Sequence, residues 1–192
     1  MYLAYIKEFN SEMSHYKKMA VTNIFHGESQ LMVLYIQKEL MKYTCEMSIN
    51  LPREEVIKKL DNPENMKHWQ RGLVGYEFLS GTPGSEGAKM KLEYKMGKRE
   101  MVLTETIIKN KFPEEFHATY DTKGVHNIQY NYFHPTENNT TKWVSEAEFH
   151  FKGLGMKLMS WLMPSAFKKQ SMTYLKDFKN FAENGTSVLD SK

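Results

Sequence analysis

The sequence has little of several features that define large classes of proteins. Its 192 residues include one cysteine, Cys45, which excludes an intrachain disulfide and any metal site built from several cysteines. No run of apolar residues approaches the roughly 18 that a membrane span requires. Neither sign of charge dominates, because 26 Lys and Arg are balanced by 23 Asp and Glu. These absences argue against a disulfide-stabilised secreted protein, an integral membrane protein and a nucleic-acid-binding protein, and they favour a cytoplasmic location.

Residues 41–184 carry a regular pattern that the first 40 residues lack. The chain has the length of a single domain, and its 41% hydrophobic residues are enough to form one sizeable core. Residues 1–40 have scattered apolar positions without a sustained period, so they are interpreted as an N-terminal extension of uncertain structure. A start site placed too far upstream and a helix packed on the edge of the domain are the alternatives.

Alternating apolar and polar residues predict a series of β-strands. In the first, apolar side chains occupy every second position from Tyr43 to Ile49, which is the pattern of a half-buried strand. Pro52 and Asn62 then mark two short helices, since proline fits the first helical turn and asparagine is a preferred N-cap. Six further strands are predicted around residues 74–78, 88–96, 100–109, 114–121, 125–134 and 141–151.

The last part of the chain changes to the period of a helix. Apolar residues recur every three or four positions from Leu158 to Phe181, and lysines occupy other positions. Gly185 predicts the end of this helix, with a flexible tail over residues 185–192. The element order predicts an α+β helix-grip domain over residues 41–184: a curved, seven-stranded antiparallel sheet, two short helices after strand one, and a long C-terminal helix.

Three stretches share a pattern with a known family: "INLPREEVIKKLDNPENMKHWQRGL", "GSEGAKMKLEY" and "TETIIKNKFPEEF", together with the final helix. The residues of the first stretch that carry the likeness are Pro52, Glu55, Val56, Asp61, Pro63, Glu64 and Trp69. The chain resembles the START-like (SRPBCC) superfamily, which includes polyketide cyclase and dehydrase-like proteins and lipid-transfer domains. The resemblance implies a helix-grip fold, and in many members a small hydrophobic ligand bound between sheet and helix.

Aromatic residues on the predicted inward faces are the candidates for a ligand-binding lining. They are Trp69, Tyr94, Tyr120, Tyr130, Trp143, Trp161, Phe167 and Tyr174. The same residues, with the 14 methionines, could instead fill a solid core. An empty space of about 300 Å³, the small end of ligand pockets, would cost roughly 7 kcal/mol. A hollow in this fold must therefore be small, wet, occupied or filled by side chains.

The sequence contains no recognisable catalytic or metal-binding motif. Its histidines have no metal-ligand spacing, and no nucleophile stands beside a base, so neither a metal nor a cofactor nor a catalytic residue is predicted. Glu105 and His126 lie on otherwise apolar faces, where either could be a buried acid or base, or a residue at a strand edge that reaches water.

The resulting functional hypothesis is that the protein binds a small hydrophobic ligand such as a lipid, a polyketide-like molecule or an aromatic compound. Two alternatives remain open. One is an enzyme of the cyclase or dehydrase type that acts on such a substrate through a buried acid or base. The other is an interaction module that resembles activators of a chaperone ATPase and uses an exposed face. The oligomeric state is not predicted.

Overall fold

A single seven-stranded antiparallel sheet forms the body of the protein. The computed structural model describes residues 41–152 and 164–190. The strands are β1 (Met41–Ile49), β2 (Leu73–Ser80), β3 (Lys89–Met96), β4 (Arg99–Lys111), β5 (Glu115–Thr122), β6 (Val125–Pro135) and β7 (Thr141–Phe151). They are ordered β1-β7-β6-β5-β4-β3-β2, so β1 and β2 lie at opposite edges of the sheet.

The helices cover one face of this sheet. They are α1 (Arg53–Leu60), a 3₁₀ turn (Pro63–Asn65), α2 (Met66–Trp69) and α3 (Pro164–Asn184). The side chain of Asn62 accepts a hydrogen bond from the backbone N–H of Glu64 and caps the 3₁₀ turn, as its position before a proline predicts. Because β1 and β2 are at opposite edges, the segment between them crosses the width of the sheet. The predicted helix-grip α+β fold is confirmed.

Helix α3 packs mainly along β1 and against α2. Its buried side chains Leu175, Phe178 and Ala182 join the apolar inner positions of the neighbouring strands. Trp69 and Trp143 each approach Phe178 edge-on, with ring centroids 5.3 Å apart. Such edge-to-face contacts add to the energy of apolar burial, so this cluster is the main anchor of the helix.

A second aromatic cluster lies under the start of α3. Phe167 packs against Phe149 and Phe151, with centroid separations of 5.4 and 5.6 Å. These two residues belong to β7, whose inward positions alternate from Trp143 to Phe151 as the sequence predicts. The apolar period of this strand is therefore sufficient to orient it.

In strand β6, the face with the more apolar sequence pattern points outward, away from the core. Asn127, Asn131 and Phe133 are buried on the inner face, while Tyr130 and Tyr132 lie on the outer face. There the two tyrosine rings contact His117, with centroids 5.2 and 5.1 Å from the imidazole. The prediction that Tyr130 faces the interior is thus wrong, because polar side chains take the inward positions.

An irregularity in β2 also moves one predicted apolar residue outward. The pairing with β3 shifts between Leu73 and Gly75, which is the signature of a bulge. Val74 is left 65% exposed, whereas Leu73 remains buried. A bulge reverses the direction of side chains on one side of it, so simple alternation fails at this position.

The chain folds back after α3. Gly185 has a φ of 71°, a left-handed conformation that glycine adopts without strain. The backbone N–H of Val188 then donates to the carbonyl of His68, and the Ser187 hydroxyl lies 3.0 Å from Nδ1 of His68. Within the predicted flexible tail, the described residues 185–190 are therefore attached to α2 through Ser187 and Val188.

Two other expectations concern residues outside the described ranges. The N-terminal extension over residues 1–40 is one of them, and Trp161 is the other. Among the helices that are described, none combines the length and the apolar character needed to cross a membrane.

Candidate functional site

A cavity of about 330 Å³ lies between the inner face of the sheet, α2 and α3. Its buried apolar wall includes Met66, Leu103, Ile107, Trp143 and Leu175. Exposed lining residues occur at Asp61 and along the β2–β3 loop at Pro83 and Gly84. The cavity therefore reaches solvent between the 3₁₀ turn and this loop, a region called the mouth below.

Short and polar side chains in the central strands leave this space open. One row of paired residues across the sheet runs through Ile107, Ala118, Gln129 and Ala147. Ser145 occupies the neighbouring inward position of β7 and lines the cavity. Alanine and serine do not extend far from the sheet, so they cannot fill the distance to α3 as leucine or phenylalanine would.

Glu105 places a carboxyl group in the wall of the cavity. It lies between Leu103 and Ile107 on the inner face of β4, is only 9% exposed, and faces Tyr120 across the strand pair. Burial raises the pKa of Glu105, and hydrogen bonding with the Tyr120 side chain offsets part of that effect. The carboxyl group consequently holds a proton at a higher pH than an exposed glutamate does.

Tyrosine hydroxyls surround this carboxyl group. The Tyr94 hydroxyl donates a hydrogen bond to the Gln70 side chain, and the Tyr120 hydroxyl interacts with Glu105. Burial raises the pKa of both tyrosines well above the ordinary value, and the proximity of Glu105 adds to it. Both phenols therefore stay neutral and act as hydrogen-bond donors.

Two buried hydrogen-bond donors of the lining have no acceptor among the described residues. The indole N–H of Trp69 makes no hydrogen bond there, and the Tyr174 O–H finds no acceptor, although the Gln170 side chain hydrogen-bonds to the phenol oxygen and lowers its pKa slightly. Trp143 provides the contrast, because its indole N–H donates to the Asn131 side chain over 3.0 Å. Burial raises the pKa of Tyr174, with the negative charge of Asp177 as the next cause.

An ion pair fixes α3 beside the cavity. The Arg71 guanidinium donates two hydrogen bonds to the Asp177 carboxylate, at 2.5 and 2.8 Å. Asp177 is buried on the helix, and Arg71 precedes β2 and is half exposed. A bidentate arrangement restricts the orientation of both groups, so it holds the helix at a defined distance from the sheet edge.

Five of the eight predicted lining residues are brought together by the structure: Trp69, Tyr94, Tyr120, Trp143 and Tyr174. Phe167 is buried in the second aromatic cluster, and Tyr130 lies on the outer face of the sheet. Trp161 belongs to the residues outside the described ranges. Participation of the five lining residues in binding stays a prediction.

The sequence predicts only some of the polar lining residues. Glu105 is predicted as a residue that could be buried, since it interrupts the apolar face formed by Leu103 and Ile107. Ser145 lies on the predicted inward face of β7. The sequence does not predict Gln129 and Asn131, because on β6 the more apolar face is the one that points outward.

None of the histidines within the described residues lines the cavity. His126 lies on the outer face, where its Nδ1 is 2.7 Å from a carboxylate oxygen of Asp121. The hypothesis that His126 is an internal acid or base is therefore wrong. In the part of the chain that the structure describes, no group of three or more His, Cys, Asp or Glu side chains could hold a metal ion.

Comparison with known proteins identifies the fold. No family model matches the chain, and no curated protein matches it. The crystal structure of Ara h 8.0201 superimposes with a TM-score of 0.63 and 14% identity, over 75% of this chain and 98% of that chain. An uncharacterised protein from Rhizobium leguminosarum has a TM-score of 0.61 and 15% identity, over 76% of this chain and 95% of its own.

A protein from Thermus thermophilus is similar to the same extent, with a TM-score of 0.61, 13% identity, and coverage of 76% of this chain and 99% of its own. At such low identities the likeness extends to the fold and no further. The chain thus shares the helix-grip architecture of these proteins, an antiparallel sheet with a long C-terminal helix.

Proposed function

We propose that this protein binds a small, mostly apolar molecule in the cavity between the sheet and α3. The observation that carries the proposal is the cavity of about 330 Å³, with a wall of apolar and aromatic side chains and a few buried polar groups. Pockets for small molecules in proteins have this volume and this composition. The resemblance to START-like proteins adds support, since many of them bind hydrophobic ligands.

The energetics of the cavity also favour an occupant. A dry, empty space of 330 Å³ would cost about 8 kcal/mol at the penalty measured for cavities in protein cores. That cost is comparable with the whole stability of a typical domain, about 5–15 kcal/mol. The space is therefore occupied by water or by a guest, and an apolar guest would release the water that contacts Leu103, Ile107 and Leu175.

Filling the cavity with side chains tests the proposal. The inner double variant Leu103→Trp with Ser145→Phe places two large rings in the cavity. The outer double variant Val102→Trp with Val144→Phe introduces the same two aromatic residues at the preceding position of each strand, on the opposite face of the sheet. Binding is measured by titration with a neutral, polarity-sensitive naphthalene ketone dye, whose emission changes in an apolar environment.

We expect the wild type and the outer variant to bind the dye, and the inner variant to lose at least tenfold in affinity. Far-UV circular dichroism verifies that both variants are folded. Equal binding by the inner and outer variants would place the dye outside the cavity. Absence of binding by the wild type to the dye and to a panel of neutral aromatic and aliphatic compounds would contradict the proposal.

A second candidate function is acid–base catalysis on a guest, as in a cyclase or dehydrase. The buried position of Glu105 beside Tyr120 favours it, because burial raises the pKa of this carboxyl group and so makes it a better proton donor and acceptor than an exposed glutamate. The substrate class would be an aromatic or polyketide-like molecule with a carbonyl group next to an acidic C–H, or with a hydroxyl that can leave as water.

The variant Glu105→Gln distinguishes binding from catalysis. Gln has nearly the same shape but cannot transfer a proton. If the protein is an enzyme, this variant retains dye affinity within about threefold and loses turnover of a β-hydroxy aromatic ketone by about 100-fold or more, the lower range for a general acid or base. Equal turnover by wild type and variant, or none by either, would reject catalysis by Glu105 and leave binding as the function.

The interaction-module alternative requires a solid interior and an exposed apolar face. Exposed apolar side chains do occur at Val74, Leu79 and Val102. The cavity, however, is the feature that such a module does not need. It therefore favours ligand binding over this alternative.

A further inference from the structure

We propose that the guest is uncharged and carries a carbonyl or hydroxyl oxygen, which accepts hydrogen bonds from the Tyr174 hydroxyl and the Trp69 indole N–H. This inference rests on the proposed binding function and specifies the chemistry of its ligand. The two donors would bind the polar end of the guest, and the apolar wall of the cavity would contact the rest of it.

The two donors are the first observation. Tyr174 is only 8% exposed, and both it and Trp69 line the cavity. Nε1 of Trp69 has no hydrogen-bond partner within the described ranges, and the Tyr174 O–H has no acceptor there, since Gln170 acts as a donor to the phenol oxygen; both atoms are buried. Buried donors without a partner are rare in proteins, because the lost hydration is not replaced. An oxygen on the guest would replace it.

The other aromatic hydrogen-bond donors of the lining provide the comparison. The Trp143 N–H donates to Asn131, the Tyr94 hydroxyl donates to Gln70, and the Tyr120 hydroxyl interacts with Glu105. These donors already have partners within the protein. Of the aromatic donors in the described lining, the Tyr174 O–H and the Trp69 N–H thus remain for a molecule in the cavity.

The distribution of charge selects an uncharged guest. Among the described lining residues, Lys89 alone carries a positive charge, and it lies exposed on β3. Arg71 is engaged by Asp177. A carboxylate beside Glu105 would have no buried cation to pair with among the described lining residues, which makes its transfer from water unfavourable.

A matched set of naphthalenes tests the inference by displacement of the neutral dye. The three competitors are 2-acetylnaphthalene, 2-isopropenylnaphthalene and 2-naphthoate, which have nearly the same shape and carry a ketone, a hydrocarbon group and a carboxylate. We expect the wild type to prefer the ketone over the hydrocarbon by about tenfold, the effect of one or two hydrogen bonds. We expect the carboxylate to be the weakest of the three.

Removal of the Tyr174 hydroxyl tests whether this group is the donor that causes the preference for the ketone. In Tyr174→Phe we expect the preference for the ketone to fall to about threefold or less, while affinity for the hydrocarbon is unchanged. The control is Tyr76→Phe, which removes a hydroxyl that donates to Glu64 at an exposed position. It should retain the wild-type preference.

The possible outcomes separate this inference from the proposed function. Equal affinities for the ketone and the hydrocarbon, or strongest binding of the carboxylate, would overturn the inference and leave the binding of apolar molecules intact. A preference for the ketone that persists in Tyr174→Phe and also in Trp69→Phe would likewise overturn it. Failure of all three competitors and of the dye to bind would reject the binding function itself.

Discussion

The sheet and helices enclose two regions that are packed in opposite ways. In the filled region, aromatic and branched side chains such as Ile49, Phe133 and Phe178 leave almost no exposed surface. In the hollow region, the cavity lies over Glu105 and Ser145. Both regions belong to the same antiparallel sheet, whose backbone pairing continues from one to the other. The helix-grip fold thus permits either a solid or a hollow interior, and the inward side chains of the central strands decide between them.

Trp143 lies at the boundary of the two regions. Its ring packs edge-on against Phe178 in the filled region, and the same residue lines the cavity. Its N–H is satisfied by Asn131, a residue on the inner face of β6. The boundary is therefore formed by a side chain with partners in both regions, which keeps the hollow region from collapsing onto the filled one.

The largest expected effect comes from opening a hole in the filled region. Phe178 is fully buried, so Phe178→Ala should reduce the free energy of unfolding by about 3–5 kcal/mol, the range for large-to-small changes in cores. The control Phe78→Ala changes a residue that is 49% exposed, and should cost about 1 kcal/mol or less. Urea denaturation of both variants measures the difference, and similar costs would contradict the role of Phe178 as an anchor of the filled region.

A smaller effect is expected from the buried carboxyl group of the hollow region. Below the ordinary glutamate pKa, Glu105 is protonated in the folded and unfolded states alike. As the pH rises from there toward its raised folded pKa, only the unfolded state releases the proton, so stability falls by up to about 1.4 kcal/mol per pH unit. Glu105→Gln removes the group responsible for this pH dependence. The free energy of unfolding of the variant, relative to that of the wild type, should therefore rise with pH over this window.

The control for that pH dependence is a carboxyl group with the opposite shift. The pKa of Glu148 is lowered, first by its hydrogen bond with Lys42, so the wild type loses this contribution as the pH falls. Glu148→Gln should therefore lose stability relative to the wild type at higher pH. Urea denaturation from about pH 2 to 8 compares the two variants, because the Glu148 contribution is lost below the ordinary glutamate pKa and the Glu105 effect appears above it. Parallel curves for both would show that burial of Glu105 has no energetic consequence.

The smallest expected effect concerns the attachment of the C-terminal segment beside the hollow region. Ser187→Ala removes the hydroxyl that hydrogen-bonds with His68, the residue before Trp69. The cost should be about 1 kcal/mol, the net value of one hydrogen bond. Amide exchange should increase at residues 186–190 and at α2, and dye affinity should change less than about threefold. Unchanged exchange at both places would mean that the segment does not support α2.

The sequence predicts the strand directions where apolar residues occupy only one face. Strand β7 is such a case, because every inward position from Trp143 to Phe151 is apolar or small. Strand β6 is not, since Asn127 and Asn131 point inward while Tyr130 and Tyr132 cover His117 on the outer face. Alternation alone cannot identify the inner face when the interior contains polar groups.

The same limit applies to the cavity. The sequence predicts five of its aromatic lining residues, because large apolar side chains on the inward faces of the strands and helices line whatever space the interior contains. The space itself depends on what is short, such as Ala118 and Ser145, and on how far α3 stands from these positions. That distance is set by contacts of α3 with β1 and by the pair Arg71–Asp177, which join residues more than 100 positions apart in the chain.

The position of the mouth has a consequence for the rate at which a guest is exchanged. It lies between the 3₁₀ turn and the β2–β3 loop, and β2 is an edge strand that is paired on one side only. A guest bound as proposed and exchanged through the mouth would displace loop residues such as Pro83 and Gly84 and break no central strand pairing. Substitutions at loop positions outside the lining would therefore alter its residence time without changing the contacts inside the cavity.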